Sequence, residues 1–167
     1  MSADNTSIDL VSAPALSTVL SPKSAWNAER AAAFLRSPLI PLRVSTLDAD
    51  GFPHITSLWF QYSSDRFFCC TQQSALICHH LKRNPKVGFE VALNSPPYHG
   101  VSGHGMGAIV AHDPMPLLTS LIEHYLQGRD LKLERWLLSR ITTEVVIAIT
   151  PRRITSWDFS RRMTNTS

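Results

Sequence analysis

Glycine recurs at every second position in one short segment of the chain. Gly103, Gly105 and Gly107 follow the turn-forming pair Pro96-Pro97. Because successive side chains of a β-strand point to opposite faces, these glycines share one face of a strand predicted from Gly100 to Ala111. A strand face without side chains allows another group to approach the backbone closely. We therefore expect something flat and bulky to lie against this face.

Other segments with the periodicity of strands surround this one. Two strands, Leu42 to Leu47 and Phe52 to Tyr62, flank the turn Asp48 to Gly51, in which the glycine is free to take a positive φ. Both faces of the second strand are partly apolar, so both should be covered. The remaining predicted strands are Arg66 to Thr71, Val87 to Leu93, Glu144 to Thr150 and Ile154 to Phe159.

Helical periodicity occupies the connections. Ser24 is placed to cap a helix with the interior Ala25 to Leu35, and Ser74 to cap one that runs to about Lys82. Two further helices are predicted around 117–125 and 131–137, the second capped by Asp130. Six or seven mostly antiparallel strands with helices between them predict a mainly β, α+β fold, closed into a barrel.

Length and composition are those of a single folded domain. The chain has 167 residues, of which 44% are hydrophobic, enough to build a substantial core. Residues 1–22 are rich in small and polar residues without a sustained period, and we expect a mobile tail there. The domain itself is expected to span residues 23–163.

Charge and hydropathy exclude several classes of partner. The net charge is +3, and its basic residues are scattered and form no dense stripe, so we expect no nucleic-acid partner. No apolar run approaches the ~18 residues that a membrane helix needs. Neither is there a basic start followed by an apolar core, as in a signal peptide. A cytoplasmic protein without membrane contact is expected.

The residues that most often carry chemistry show no catalytic or metal-binding spacing. The chain has seven histidines but no HxH or HExxH pattern, and the adjacent pair His79 and His80 would diverge on a helix. The three cysteines also lack metal or redox spacing, so buried free thiols are expected. No serine lies in a glycine-flanked elbow, and no phosphate-cradling loop precedes a helix. We predict no metal site.

Two segments together resemble a known family. The hairpin 43–60 and the stretch 96–105 are similar, in order and spacing, to the flavin-binding split-barrel proteins related to pyridoxamine 5'-phosphate oxidase. The resemblance covers about residues 30–160 and depends on several weak motifs together. It implies a split barrel that forms a homodimer, with flavin mononucleotide (FMN) in each groove between the two chains. It also implies an oxidoreductase that moves hydride or electrons to a small organic acceptor, with the flavin supplying the redox chemistry.

The resemblance also implies cofactor-binding residues. Arg43 matches an arginine that opens the phosphate-side strand, and Thr71 and Ser74 match small polar residues beside the phosphate. Several residues have an alternative structural interpretation: a solvated arginine at 43, a core tryptophan at 59, a helix cap at 74, a solvent-facing histidine at 104 and an aromatic plug at 157. The complete candidate set is Arg43, Val44, Ser45, Thr56, Ser57, Leu58, Trp59, Thr71, Ser74, His104 and Trp157.

One departure from the family pattern concerns the phosphate. Many relatives carry Ser-Arg-Lys, or a close variant, where this chain has Ala75-Leu76-Ile77. Losing two basic side chains removes up to two charge-assisted hydrogen bonds. Three alternatives to an FMN oxidoreductase therefore stay open: a relative that uses the deazaflavin cofactor, a relative that binds haem, and a non-catalytic binding module that has lost the phosphate clamp.

Overall fold

The computed structural model describes residues 12–164. The first eleven residues of the expected tail, 1–11, lie outside the described residues. Within 12–164 the chain forms seven strands and six helices, with one 3₁₀ turn at Ile141–Thr143. The strands are β1 Leu42–Leu47, β2 Pro53–Leu58, β3 Gln61–Ser63, β4 Arg66–Gln72, β5 Lys86–Ala92, β6 His99–Val110 and β7 Glu144–Asp158. The helices are α1 Leu16–Val19, α2 Ala28–Arg36, α3 Leu76–Arg83, α4 Pro114–Leu126, α5 Leu131–Ser139 and α6 Ser160–Thr164.

All seven strands form one antiparallel sheet, in the order β2-β1-β5-β6-β7-β4-β3. Strands β2 and β3 are consecutive in the chain, yet they occupy the two opposite edges of the sheet. The sheet must therefore curl until its edges approach each other. The predicted α+β class with a six- to seven-stranded antiparallel split barrel is confirmed.

The prediction of a single strand from Phe52 to Tyr62 is wrong, because the strand is interrupted at Trp59 and Phe60. Before the break, β2 pairs with β1; after it, β3 pairs with β4. The backbone N–H of Phe60 leaves the ladder and donates to the Tyr125 hydroxyl, at 3.3 Å. Alternation of apolar residues continues through both pieces, so the sequence pattern alone does not show the change of partner.

Gly103 and Gly107 of β6 face the protein's own interior. A Cβ at Gly103 would lie 2.7 Å from the Phe89 ring and 2.1 Å from the Arg153 carbonyl oxygen. A Cβ at Gly107 would lie 2.8 Å from the side chain of Leu81 in α3. The expectation of a face left bare for an external group is therefore wrong. The flat group that approaches Gly103 is the Phe89 ring, which in turn packs against Phe67 at a centroid distance of 4.9 Å.

The two strands predicted at the C-terminal end form one strand, β7. Its pairing with β6 shifts register between His104 and Gly105, which face Arg153 and Pro151 respectively. One residue, Arg152, is thus inserted as a β-bulge. Proline has no N–H to give to the ladder, and a bulge is one of the few places where a sheet tolerates it. Pro151 therefore marks an irregularity within a strand and not its end.

Helix starts agree with the sequence in one case and differ in two. Asp130 caps α5 as predicted, accepting from Leu133 N at 2.9 Å. For α2 the cap is Asn27 and not Ser24: the Asn27 side chain accepts from the N–H of Arg30. At α3 the N-cap position belongs to Ala75, whose side chain makes no capping hydrogen bond, so Ser74 does not cap that helix.

None of the helices within 12–164 is long and apolar enough to cross a membrane.

The segment before α2 is packed onto the sheet. Leu16 is buried in the core, and Leu20 forms a bridge with Ile154 of β7. Ser21 is also buried, and its N–H donates to the Ile154 carbonyl at 2.7 Å. Residues 16–21 therefore belong to the folded domain, and the expectation that the tail extends to residue 22 is wrong.

A polar cluster ties this N-terminal region to the end of β7. The Asp158 carboxylate accepts from the Trp26 indole at 3.0 Å and from Arg30 at 2.8 Å. Hydrogen bonds from the Ser160 hydroxyl and N–H, with those of Trp26 and the charge of Arg30, hold the pKa of Asp158 well below its usual range. The Trp26 ring is itself buried and packs 5.0 Å from Phe34. One carboxylate thus joins α2 to the last strand and α6.

We expect Asp158→Asn to lower the free energy of unfolding by about 1–2 kcal/mol, because charge-assisted bonds to Trp26, Arg30 and Ser160 are weakened. A carboxylate with a lowered pKa stabilises the fold fully above its unfolded-state pKa near ~4, and this contribution is lost as the pH falls through the lower folded-state pKa. The difference between wild type and variant should therefore be largest at pH 7 and should decrease as the pH falls below ~4. Urea unfolding at a series of pH values from 7 to 2 measures this, with the exposed Asp50→Asn as control. A difference that stays the same across this series would contradict the role of the charge.

Candidate functional site

A groove of about 310 Å³ opens at the seam of the curled sheet. One wall is the end of β2, the edge strand that here approaches β4. The opposite wall is the end of β4, and helices α4 and α5 cover the space between them. The volume is at the small end of the range for small-molecule sites. Four leucines supply most of the apolar lining: Leu118, Leu121, Leu133 and Leu137.

Four of the residues predicted from the sequence line this groove. Ser57 and Leu58 form the end of β2, Trp59 follows them in the link to β3, and Thr71 belongs to β4. Thr71 is at least twelve positions away from the other three, and it is brought beside them because the sheet curls. Thr56, the residue before them, pairs with the buried Val44 and does not line the groove. A larger depression of about 620 Å³ beside α4 contains none of the predicted residues.

Trp59 is held flat against the side of the groove. Its ring stacks on that of Tyr125 in α4, with a centroid distance of 5.0 Å and an angle of 3° between the planes. The Tyr125 hydroxyl donates to the Ile40 carbonyl at 3.2 Å, so the stack is anchored to the segment before β1. Burial raises the pKa of Tyr125 to about 12, which keeps the hydroxyl protonated as a donor. Trp59 is half-buried: it contributes to the packing and to the groove at once.

The polar end of the groove is a small network at the end of β4. The Gln72 amide donates to the Glu144 carboxylate, and the Thr143 hydroxyl donates to the Gln72 amide oxygen. The N–H of Gln73 donates to the Thr143 carbonyl at 2.8 Å. These bonds fasten the 3₁₀ turn after α5 onto β4. Glu144 and Gln72 both line the groove, so this end presents a carboxylate and an amide.

Arg140 lines the groove and was not anticipated from the sequence. It caps the C-terminal end of α5, and its guanidinium lies over the Trp136 ring, 4.3 Å from the centroid. Nothing in the local sequence distinguishes this arginine from the others. Its position depends on the contact between the 3₁₀ turn and β4, which joins residues about 70 positions apart. A sequence pattern carries no signal for such a contact.

The start of α3 offers no positive charge. Leu76 is 58% exposed, whereas Ile77 is 1% exposed and belongs to the core. The side chain of Ser74 is exposed just before the helix. At the two positions where many relatives carry a basic pair, this chain therefore has one alkyl group in solvent and one in the barrel interior. A lysine could not replace Ile77 without placing its charge in the core.

Several other predicted residues lie on the outer face of the sheet. Arg43 pairs with Ser57 on one side and with Glu90 on the other, and its guanidinium reaches Glu90 at 3.3 Å and Asn94 at 2.5 Å. Ser45 follows on the same face. Across the sheet, His104 pairs with Gly88 and is exposed, and Trp157 pairs with Gly100 and is half-buried. These residues share a face with Ser57 but do not line the groove.

Histidines and cysteines form no metal centre in the part of the chain that is described. No group of three or more His, Cys, Asp or Glu residues within 12–164 is placed to hold a metal ion. The buried His80 contacts Thr46, with Nδ1 2.9 Å from Oγ1, and its ring packs 5.4 Å from that of His54. Cys69 and Cys78 are buried free thiols, as predicted. Cys70 lines the groove, and burial together with the charge of Glu144 raises its pKa to about 12.

Solved structures share this fold. No protein-family model matches the chain, and no curated protein does. A conserved hypothetical protein from Mycobacterium tuberculosis is 23% identical, with a TM-score of 0.70 over 89% of this chain and 94% of that one. An F420 reductase is 19% identical, with a TM-score of 0.63 over 74% and 94%. A pyridoxamine 5'-phosphate oxidase-like protein from Listeria innocua is 17% identical, with a TM-score of 0.53 over 72% and 88%. The chain therefore has the split-barrel fold of these proteins, and the resemblance in the sequence is confirmed at the level of fold.

The three cysteines should be unreactive in the folded protein. Burial raises the pKa of each thiol, most clearly for Cys69 and Cys70, and so lowers the fraction of reactive thiolate at pH 8. Iodoacetamide at pH 8 should label none of them within an hour, and all three after unfolding in guanidinium, as measured by mass spectrometry. Rapid labelling of native Cys70 would show that the groove stabilises a thiolate and that this account of its charge is wrong.

Proposed function

We propose that the chain is an oxidoreductase that binds a flavin-type cofactor, FMN or its deazaflavin analogue, in the groove at the seam. It would pass hydride or electrons between this cofactor and a small organic molecule. The observation that carries the proposal is the convergence of Ser57, Leu58, Trp59 and Thr71 in one groove of a split barrel. An F420 reductase and a pyridoxamine 5'-phosphate oxidase-like protein of the same fold support it.

The groove has the donor set that such a cofactor needs. The leucines of α4 and α5 and the ring of Trp59 offer apolar and aromatic surface to a flat ring system. The hydroxyls of Ser57 and Thr71 and the amide of Gln72 offer hydrogen bonds to a polyhydroxy chain. Arg140 offers a positive charge to an anionic end. The residues present therefore fit the cofactor, whose ring supplies the redox chemistry when it is bound.

The part of the protein in this chemistry is to bind, orient and exclude water. The Trp59–Tyr125 stack fixes one side of the groove, and the four leucines keep the interior apolar. Burial keeps the Cys70 thiol protonated by raising its pKa, and the Glu144 carboxylate accepts a hydrogen bond from the Gln72 amide. A reaction in which a bound cofactor transfers hydride directly is consistent with this arrangement, because it needs no side chain to carry a proton.

Charge bears on which cofactor is preferred. FMN ends in a phosphate monoester with a charge of about −1.5 to −2 near neutral pH. A groove lined by one arginine and one glutamate, with no basic residue at the start of α3, has no surplus of positive charge to offset a doubly charged phosphate. The groove therefore favours a ligand whose anionic group carries less charge than the FMN phosphate.

A second candidate is a binding module without catalysis. Leu76 and Ile77 in place of basic residues favour it, as does Glu144, whose carboxylate lies at the end of the groove nearest to α3. In that case the groove would bind an uncharged apolar molecule. The haem alternative gains no support from the groove, because no histidine lines it to serve as an axial ligand.

We propose a homodimer as the working form. Two large apolar side chains of the β1–β2 hairpin are open to solvent in the single chain, Phe52 at 69% and Ile55 at 68% exposure. Ile55 pairs with Ser45 on the outer face of the sheet, where Arg43 and Ser57 also lie. An exposed apolar patch of this kind on a sheet edge is typical of an interface. A second chain placed here would also narrow the groove at its Ser57 side.

Binding of a flavin ring tests the function. Wild-type protein should quench the fluorescence of FMN or riboflavin on titration, or bind the deazaflavin cofactor with a change in its visible spectrum. Trp59→Leu should weaken every one of these ligands by about 1 kcal/mol, or roughly fivefold, because an aromatic contact with the ring is lost. The exposed Phe159→Leu serves as control. If none of the three ligands binds to the wild type, the cofactor proposal is wrong, and the result favours the alternative of a binding module without catalysis.

Sedimentation tests the dimer. Wild type should sediment at twice the mass of the 18.6 kDa chain at micromolar concentration. Ile55→Asp should shift it to monomer, because a charge would be buried in an apolar interface. The control is Leu131→Asp, a change at a residue 61% exposed on α5. A monomeric wild type would contradict the proposal, and dissociation by the control alone would place the interface on another face.

A further inference from the structure

We propose that Arg140 is the anion-binding residue of the groove, a role that the start of α3 does not provide in this chain. The inference rests on the proposed function and makes it more specific: the ligand has a flat, mostly apolar body with one anionic group at the Arg140 end. Nothing in the resemblance assigns a role to this position, which lies at the C-terminal end of α5.

The start of α3, where the resemblance places the basic residues that bind the phosphate, has no positively charged side chain. Leu76 carries an alkyl group into solvent, and Ile77 is buried in the core. Arg43, the arginine predicted for the phosphate end, already has partners: its guanidinium binds Glu90 and Asn94 on the outer face of the sheet. Of these residues, none presents a free positive charge to the groove.

Hydrogen bonds hold the backbone at Arg140 in a fixed position beside the groove. The carbonyl of Arg140 accepts from the Thr143 N–H at 3.1 Å and from its hydroxyl at 3.0 Å. Thr143 in turn binds Gln72 through its hydroxyl and Gln73 through its carbonyl. The turn that carries Arg140 is therefore fastened to the end of β4, one residue beyond Thr71. Its position relative to the groove is set by hydrogen bonds on both sides.

The guanidinium is oriented and has capacity to bind. One of its flat faces is covered by the Trp136 ring at 4.3 Å, an arrangement that leaves the N–H groups around its edge available. The two ion pairs found within 12–164 involve other arginines, Arg30 and Arg43. An arginine that is half-buried, stacked and without a carboxylate partner in the described chain is suited to bidentate binding of an anion.

Glu144 limits how much negative charge the groove accepts. It lines the same groove, and its carboxylate is held there by the Gln72 amide. A ligand anion at Arg140 is attracted by one positive charge and repelled by one negative charge nearby. Removing the carboxylate while keeping a side chain that bonds to Gln72, as Glu144→Gln does, should therefore tighten anionic ligands. Substitution of Arg140 should weaken the binding of anionic ligands, whereas Glu144→Gln should strengthen it. These opposite changes in affinity distinguish a charge effect from a general loss of structure.

The experiment compares FMN with riboflavin, which has the same ring and no phosphate. Dissociation constants are measured by fluorescence quenching for wild type, Arg140→Ala, Arg140→Lys, Arg43→Ala and Glu144→Gln. The matched control is Arg135→Ala, an exposed arginine on the same helix that binds the Leu131 carbonyl and does not line the groove. Riboflavin affinity and the melting temperature report whether each variant still folds.

We expect Arg140→Ala to weaken FMN by about 10- to 100-fold and riboflavin by less than about threefold. Arg140→Lys should retain part of the preference for FMN, because it keeps the charge without the fork of donors. Glu144→Gln should raise FMN affinity alone, and Arg135→Ala should change neither ligand.

Four results would overturn the inference. Equal weakening of FMN and riboflavin by Arg140→Ala would assign the arginine to the structure of the groove wall. Selective loss of FMN in Arg43→Ala, with Arg140→Ala like wild type, would move the anion site to the outer face. Wild type that binds riboflavin but shows no phosphate preference would leave the proposed function intact and remove this inference alone. Wild type that binds neither flavin nor the deazaflavin would remove both.

Discussion

The link of two residues between β2 and β3 is the constraint on which the rest of the structure depends. In a flat sheet of seven strands the outer strands would be six spacings apart, about 29 Å. Three Cα–Cα steps lead from Leu58 to Gln61, and they span at most about 11 Å. Since β2 and β3 stand at opposite ends of the sheet order, the sheet has to curl until its edges meet. The barrel and its seam are therefore consequences of one short connection.

The same connection creates the groove. The residues of the link, Trp59 and Phe60, have left one strand partner and not yet reached the next, so their backbone groups need partners elsewhere. The Tyr125 hydroxyl supplies one to Phe60 N, and the Tyr125 ring supplies a stacking surface to Trp59. Helix α4 is thereby drawn over the seam, and α5 follows it. A site made in this way lies where the chain leaves one edge of the sheet and has not yet joined the other.

Local structure could be predicted from the sequence where a short-range rule decides it. The turn at Asp48 is an example: its side chain accepts from the N–H groups of Asp50 and Phe52, and Gly51 has φ 86°. The Asp130 cap is another. Features that depend on a distant partner could not be predicted in the same way. Gly103 is a glycine because the Phe89 ring occupies the space of a Cβ, and a spacing of two residues does not show whether the approaching group is internal or external.

The candidate site divides along the same line. Ser57, Leu58, Trp59 and Thr71 were identified because each lies in a strand whose order and spacing resemble a family. Arg140 was missed because its place is set by the bond between Thr143 and Gln72, which no local pattern records. The two groups of residues differ in stability as well as in predictability. The first group lies in strands of the barrel or directly beside one. Arg140 instead directly follows α5, a helix of nine residues, none fully buried, and an isolated helix of this length is marginal in water.

Helix α5 stays in place through its Asp130 cap, the contact of Leu133 and Leu137 with the groove, and the tie at Thr143. Such an element has less buried surface to lose than the strands, so it opens at a lower free energy than the barrel. The wall formed by α5 and Arg140 is therefore the part of the groove that unfolds locally at the lowest free energy. A ligand that joins Arg140 to the strand side, at Ser57 or Thr71, adds a contact across the seam that the single chain lacks. Binding and the ordering of this wall are then coupled, and the positive charge at its end contributes to both.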